Sequence, residues 1–162
     1  MNPAASGPGQ YLTFVQGAET FALGILNVRE IIGYAGVTEV PMMSDCIRGV
    51  INLRGAVVTV MDLAARFGRP SSPVTKRTCI VIVELDDGDE RHVVGVVVDA
   101  VSAVLEIDRA DIEPPPTFGA KIRNDFIAGM GKVGDRFVIL LDIGKVFSVP
   151  EIAGQMAAQV VE

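Results

Sequence analysis

Asp62 and Asp142 are the first residues to weigh for chemistry, because each closes an apolar run, AVVTVMD and FVILLD. Two facing carboxylates are the minimum equipment for general acid–base catalysis. Each, however, is followed by a short helical signal, LAARFG or IGKVFS. An aspartate in that frame accepts hydrogen bonds from the first free N–H groups of a helix and stabilises it by about 1 kcal/mol. One local role explains both residues, and no histidine is spaced to complete a catalytic set. His92, the single histidine, follows Arg91 after an acidic turn and reads as a surface residue. Cys46 and Cys79 lie beside apolar runs without C-x-x-C spacing, which points to free thiols in a reducing cytoplasm rather than a metal framework. GMGKVGD, 129–135, is glycine-rich but follows no strand-to-helix pattern. It reads as a hairpin with a Gly-Asp tip rather than a phosphate cradle. No catalytic, cofactor-binding or metal-binding residue is expected, and the chain is not expected to be an enzyme.

One feature is left over. In IRGVINLRGAVVTVMDLAARFG, Ile47–Gly68, the tip Asn52-Leu53-Arg54-Gly55 interrupts two apolar segments. The elements that must hold it are short. YLTFV, FALGILNV, AVVTVM, CIVIVEL, VVGVVV and FVILLDI are separated by turn signals at Gln16-Gly17, Arg54-Gly55, Asp86-Asp87-Gly88 and Gly134-Asp135. Short Val/Ile-rich runs between Gly and Asp turns indicate an all-β sandwich or barrel.

The chain also repeats itself. A shift of 80 lays Ile47–Phe67 on Ile127–Phe147 without a gap, with Ile47, Gly49, Val58, Asp62 and Phe67 identical in both copies. A shift of 73 lays Phe21, Leu23, Ile25, Val28 and Ile31 on Val94, Val96, Val98, Val101 and Val104. Two like copies of about 70 residues imply two similar small β units, each too small to stand well alone. Where the copies agree, the residues are apolar, Gly or Asp. Where they differ, the first copy carries Glu30, Arg48 and Arg54 against Ala103, Ala128 and Gly134. A fold-forming role would ask for the same chemistry twice, so these charges point to a specialised protein-binding surface on the first copy. Arg suits that task through its planar, fork-shaped guanidinium.

The net charge of −6 and the scattered Lys and Arg residues disfavour nucleic acid. No apolar run approaches the roughly 20 residues that span a bilayer, so no direct membrane insertion is expected. Residues 1–9 read as a flexible lead-in without signal-peptide features. Ile152, Met156 and Val160 fall at helical spacing and predict a terminal helix over 151–162.

The motifs resemble the CheW family of chemotaxis adaptors. The resemblance rests on the N-L-R-G tip with its following V-V-x-V-x-D-L, on FALGILNVREII, VVGVVVDAVSAVLEI and IEPPP, and on FIAGMGKVGDRFVILLDIGKVF, in order over about residues 11–150. One departure is Thr59, where the family usually carries proline. The resemblance implies two SH3-like five-stranded β-barrel subdomains packed side by side, with a short helix between them and a C-terminal helix. It implies one domain over 10–150, with a first subdomain at about 17–80 and a second at about 81–150 joined by the first strand, 11–16. It implies a cytoplasmic, cofactor-free adaptor, recruited to membrane-associated receptor arrays, with no small-molecule substrate. Its partners would be the regulatory domain of a CheA-type histidine kinase and the cytoplasmic tip of chemoreceptors. By motif, Arg54, Glu30, Val28 and Gly49 map to partner-binding positions, with Asn52 and Leu53 completing the tip. The competing expectation is a small-molecule-binding or hydrolytic β-barrel, which would need a cleft with convergent polar groups.

Overall fold

The computed structural model describes residues 9–41, 45–87, 90–115 and 124–147. The expected terminal helix at 151–162 and all of the lead-in except Gly9 lie outside these residues. Strands β1 (Gly9–Gln16), β2 (Glu19–Gly24), β3 (Val28–Gly33), β4 (Ile47–Leu53) and β5 (Ala56–Asp62) lead into helix α1 (Leu63–Arg66). Strands β6 (Cys79–Asp87), β7 (Glu90–Val98), β8 (Ala100–Ile107), β9 (Ile112–Glu113), β10 (Ile127–Val133) and β11 (Arg136–Leu141) lead into helix α2 (Ile143–Val146). The hairpin turns at Gly17, Arg54-Gly55 and Gly134-Asp135 fall at the expected signals, where glycine accepts the backbone angles a two-residue turn demands.

The strands form two sheets, ordered β3-β6-β7-β5-β4 and β8-β1-β2-β11-β10-β9. Pairing is antiparallel except for β5 with β7 and β2 with β11. The ends of each sheet are brought together. Past β3, Thr38 and Val50 of β4 exchange backbone hydrogen bonds of 2.8 and 2.9 Å. Past β8, a 3-10 turn at Arg109–Asp111 delivers β9 to β10. The second sheet thus has six strands rather than five, because the strand that closes it is broken into β8 and β9.

Matched position by position, the two orders equate β4 with β10, β5 with β11, β7 with β2 and β3 with β8, the same matches as the shifts of 80 and 73. The expected division at residue 80 is nevertheless incorrect. Hairpin β6–β7, residues 79–98, belongs to the first sheet, and β2 joins β1 in the second. The chain changes sheets after Gly24 and again at Asp99, so the two units exchange hairpins.

That exchange explains why the strands are apolar on both faces. On β6, Ile80 and Ile82 pack with Ile51, Val58, Val60 and Val97 inside the first unit. The alternate residues Val81, Val83 and Leu85 point into a larger core shared between the units. Leu12, Phe14, Phe21 and Leu23 enter that shared core from the second unit, and Met61, Leu63, Phe67, Val96 and Val98 from the first. An aromatic row runs through it: Phe14–Phe21, Phe21–Phe67 and Phe67–Phe126, with centroids 5.9, 5.2 and 6.0 Å apart. These rings bury large apolar areas and favour the tilted or offset contacts seen here.

Candidate partner-binding site

Hairpin β4–β5 turns through Arg54 and Gly55, between the paired residues Leu53 and Ala56. Both turn residues have positive φ, 52° and 89°, as a two-residue turn matched to the strand twist requires. Arg54 is the single non-glycine residue with positive φ among the described residues. The Asn52 side-chain oxygen accepts the Gly55 N–H at 2.8 Å and holds the turn from below. From this tip the Arg54 guanidinium donates to the Glu30 carboxylate on β3 at 2.6 Å. Arg54 is mostly exposed, and Glu30 is half-buried. Two of the three charges that depart from the repeat, 24 positions apart in sequence, therefore meet as one ion pair. The bond links one edge strand of the first sheet, β3, to the turn that follows the other, β4.

The other expected site residues differ in what they offer. Val28 is half-buried against the shared core, and Leu53 is half-buried against the interior of the first unit. Asn52 is exposed, with its side chain engaged in the turn. Gly49 is buried, and a Cβ there would collide with the Thr38 carbonyl oxygen, so it serves packing. The segment that closes the first sheet crosses directly over it. Gly129 has the same duty beneath β9, where a Cβ would meet Ile112 Cγ2 at 2.8 Å and the Glu113 carbonyl oxygen at 3.1 Å. Gly49→Ala is expected to lower stability by about 2 kcal/mol, and Gly129→Ala by less, since a side-chain methyl yields more readily than backbone. Urea unfolding of the two variants checks the order.

Arg48, whose departure from the repeat pointed to the binding surface, is instead directed inward at Asp62. Nε and Nη2 donate to Asp62 Oδ2 at 3.2 and 2.8 Å, and Nη1 donates to the Tyr34 hydroxyl at 3.1 Å. Asp62 also accepts the Ser71 hydroxyl at 2.5 Å and, through Oδ1, the Ala65 N–H of α1 at 3.2 Å. Burial alone would push the Asp62 carboxyl up. The bonds from Ser71, Arg48 and Ala65, with the Arg48 charge, outweigh burial and hold it below the usual range. Asp142 makes the cap to the Lys145 N–H, 3.2 Å, from a position opposite Ala128 in the repeat rather than an arginine. Both aspartates are thus N-caps, as their frame implied, and one is also the hub of a buried network.

The glycines of GMGKVGD match the spacing of a dinucleotide fingerprint, but they lie along β10 and its hairpin turn with no helix entering there. Among the described residues, no group of three or more His, Cys, Asp or Glu could hold a metal ion.

A second set of surface residues escaped the sequence reading. Ile31, beside Glu30, and Val57, cross-strand from Asn52, are exposed. Their equivalents under the shifts of 73 and 80, Val104 and Phe137, are exposed as well. The repeat comparison matched these positions as apolar in both copies, which suggested core. The signal available was the outward face of β5, where alternation called for a polar residue at position 57.

A protein-family model described as a CheW-like domain matches residues 10–151. This chain belongs to the CheW-like family. Chemotaxis protein CheW of Klebsiella aerogenes is 36% identical over 144 residues, covering 89% of this chain and 84% of that one. The CheW of Thermotoga maritima is 30% identical over 140 residues, covering 85% and 86%. The crystal structure of the scaffolding protein TtCheW from Thermoanaerobacter tengcongensis superposes with a TM-score of 0.78 at 34% identity, covering 88% and 94%. The CheW-like domain therefore extends over both sheets, which is consistent with their shared core and exchanged hairpins. Among its described residues, no helix is long and apolar enough to cross a membrane.

Proposed function

We propose that this CheW-like chain is a non-catalytic adaptor that couples chemoreceptors to a CheA-type histidine kinase in a chemosensory array. The observation that carries the reading is the Arg54–Glu30 pair, whose arginine stands exposed on a strained turn and which is missing from the twin unit. A left-handed backbone costs a non-glycine residue about 1 kcal/mol or more. The equivalent turn in the second unit begins with Gly134. Folding alone would favour glycine at position 54 too, so an arginine there serves something outside the fold. Relatives named for chemotaxis and a structural neighbour described as a scaffolding protein support a partner in chemotaxis signalling.

In this reading the kinase's regulatory domain, itself of the same fold, is met by one unit of the adaptor through the opposite unit of that domain. The receptor tip lies in the groove between units. Ile31 with Val57, and Val104 with Phe137, supply each unit with apolar contact at equivalent positions, as alternating assembly of like folds requires. The adaptor works in the cytoplasm, is recruited to membrane-associated arrays, and uses no cofactor or small-molecule substrate. A ligand-binding barrel is less well supported. The open depression of about 670 Å³ under residues 72–77 is lined by Ser72, Lys76, Arg77 and Asp99. Its carboxylate already accepts the Gly17 N–H at 2.8 Å.

The test is co-sedimentation with receptor-containing membranes and kinase. Val57→Asp and Phe137→Asp are each expected to reduce recovery about tenfold, because a charge is then desolvated in an apolar contact, while thermal unfolding stays unchanged. Normal recovery of both variants would overturn the assignment of these faces.

A further inference from the structure

The shared core between the two units is apolar, and apolar contact has no directional preference. Something else must set the angle at which the units meet. The arrangement around α1 and α2 supplies it. Arg66, in the last position of α1, reaches across to the second unit. Its Nε donates to the Val146 carbonyl at 2.6 Å and its Nη2 to the Lys145 carbonyl at 3.1 Å. Its guanidinium lies 4.8 Å from the centre of the Phe126 ring. These carbonyls belong to the last turn of α2, where backbone acceptors have no partner within the helix. Under the shift of 80, Arg66 is equivalent to Val146 itself. The residue that donates and the residue that accepts thus occupy the same place in the two repeats, and Val146 has no donor with which to reciprocate. Just beyond, Arg69 lies 5.9 Å from the Phe67 ring centre and donates to Glu19 of β2 at 2.7 Å, and Ser72 accepts from Gln16 of β1 at 3.1 Å. The segment that leaves the first unit is therefore pinned to the second by four directional bonds at three residues, with Arg66 making two of the bonds.

We propose that Arg66 is a positioning residue that latches the two units at one angle, and so fixes the relative orientation of the two partner faces. The proposal rests on the adaptor reading above. Neither face contains Arg66, so binding through one face survives its loss. Engagement of both faces at once does not, because the gain from two linked contacts vanishes when geometry forbids both.

The experiment compares wild type, Arg66→Met, which keeps an apolar stem over Phe126, and Arg66→Lys, which keeps one donor. Nitroxides are attached through an unnatural ketone side chain at Asp86 of β6 and Lys132 of β10, both exposed and one in each unit. Cys46 and Cys79 are left in place. Pulsed electron spin resonance should give a narrow distance distribution for wild type, one about twofold broader for Arg66→Met, and an intermediate width for Arg66→Lys. Binding to an isolated kinase regulatory domain should change by less than about threefold, while incorporation into receptor–kinase arrays falls about tenfold. Equal widths for wild type and Arg66→Met would overturn the latch, whatever the binding results. Loss of single-domain binding in step with array incorporation would also overturn it. Failure of wild type to bind kinase or receptor at all would instead overturn the adaptor reading and leave the width comparison to decide the latch.

Discussion

Replacing Arg54 with glycine is expected to change global stability by less than about 1 kcal/mol while weakening association with kinase and receptor about tenfold. The stability terms nearly cancel. Glycine relieves a left-handed backbone worth about 1 kcal/mol. The change also removes an exposed ion pair worth at most about 1 kcal/mol and frees the unfolded chain slightly. The binding loss has no such compensation, because the guanidinium on the tip is gone. Glu30→Lys should produce the same binding defect by placing two cations together at the seam between β3 and the hairpin. Reversing the pair, with Glu30→Arg and Arg54→Glu, restores an ion pair but not the order of charges. If binding returns with the reversed pair, Arg54 serves to rigidify the tip. If it stays lost, the partner reads the guanidinium directly. Calorimetry of the single and reversed variants against the kinase regulatory domain distinguishes the two, and wild-type affinity in Arg54→Gly would sink the assignment altogether.

Asp62→Ala is expected to destabilise the protein by about 4 kcal/mol, whereas Asp142→Ala should cost about 1 kcal/mol. The two residues have the same frame and the same cap, so the difference isolates the network around Asp62. Its removal strips Arg48 of its charge partner in a largely buried site, where the Arg48 and Asp62 side chains are 17% and 5% exposed. It also frees the Ser71 hydroxyl that tethers the connector after α1. Arg48→Met combined with Asp62→Asn should recover part of the loss, because no charge is then left unpaired. The network carries a pH signature as well. The Asp62 carboxyl is held below its usual range in the folded state. Its contribution is therefore complete above the ordinary Asp value of about 3.9, fades as pH falls past it, and vanishes once pH passes the lowered folded value. Stability measured by urea unfolding should fall less steeply over that acidic interval in Asp62→Ala than in wild type. Parallel acid profiles would show that Asp62 is not held low.

Much of this molecule was legible in its residues because the relevant physics is local. Hairpin turns at Gly17, Arg54-Gly55 and Gly134 follow from the backbone angles those residues accept. Asp62 and Asp142 are caps because of what immediately follows them. The repeat exposed Glu30 and Arg54 as departures from a shared pattern, although their meeting as an ion pair is visible only in the fold. Three things could not be read the same way. Arg48 departs from the repeat just as Arg54 does, yet it points inward, because the carboxylate that caps α1 through one oxygen accepts the guanidinium through the other. Ile31, Val57, Val104 and Phe137 match as apolar pairs, yet they lie outside, since a repeat in which both copies expose the same position looks identical to one in which both bury it. The third is the connectivity itself. The residues alone determined that there are two like units of short strands, with capped helices and tight turns in equivalent places. Only the tertiary structure decided that hairpin β6–β7 completes the first sheet while β1–β2 completes the second. Their second strands, β2 and β7, match under the shift of 73, so the local pattern does not say which sheet each hairpin completes. The choice is made by long-range pairing with β5 and β11 and by the core that both units share.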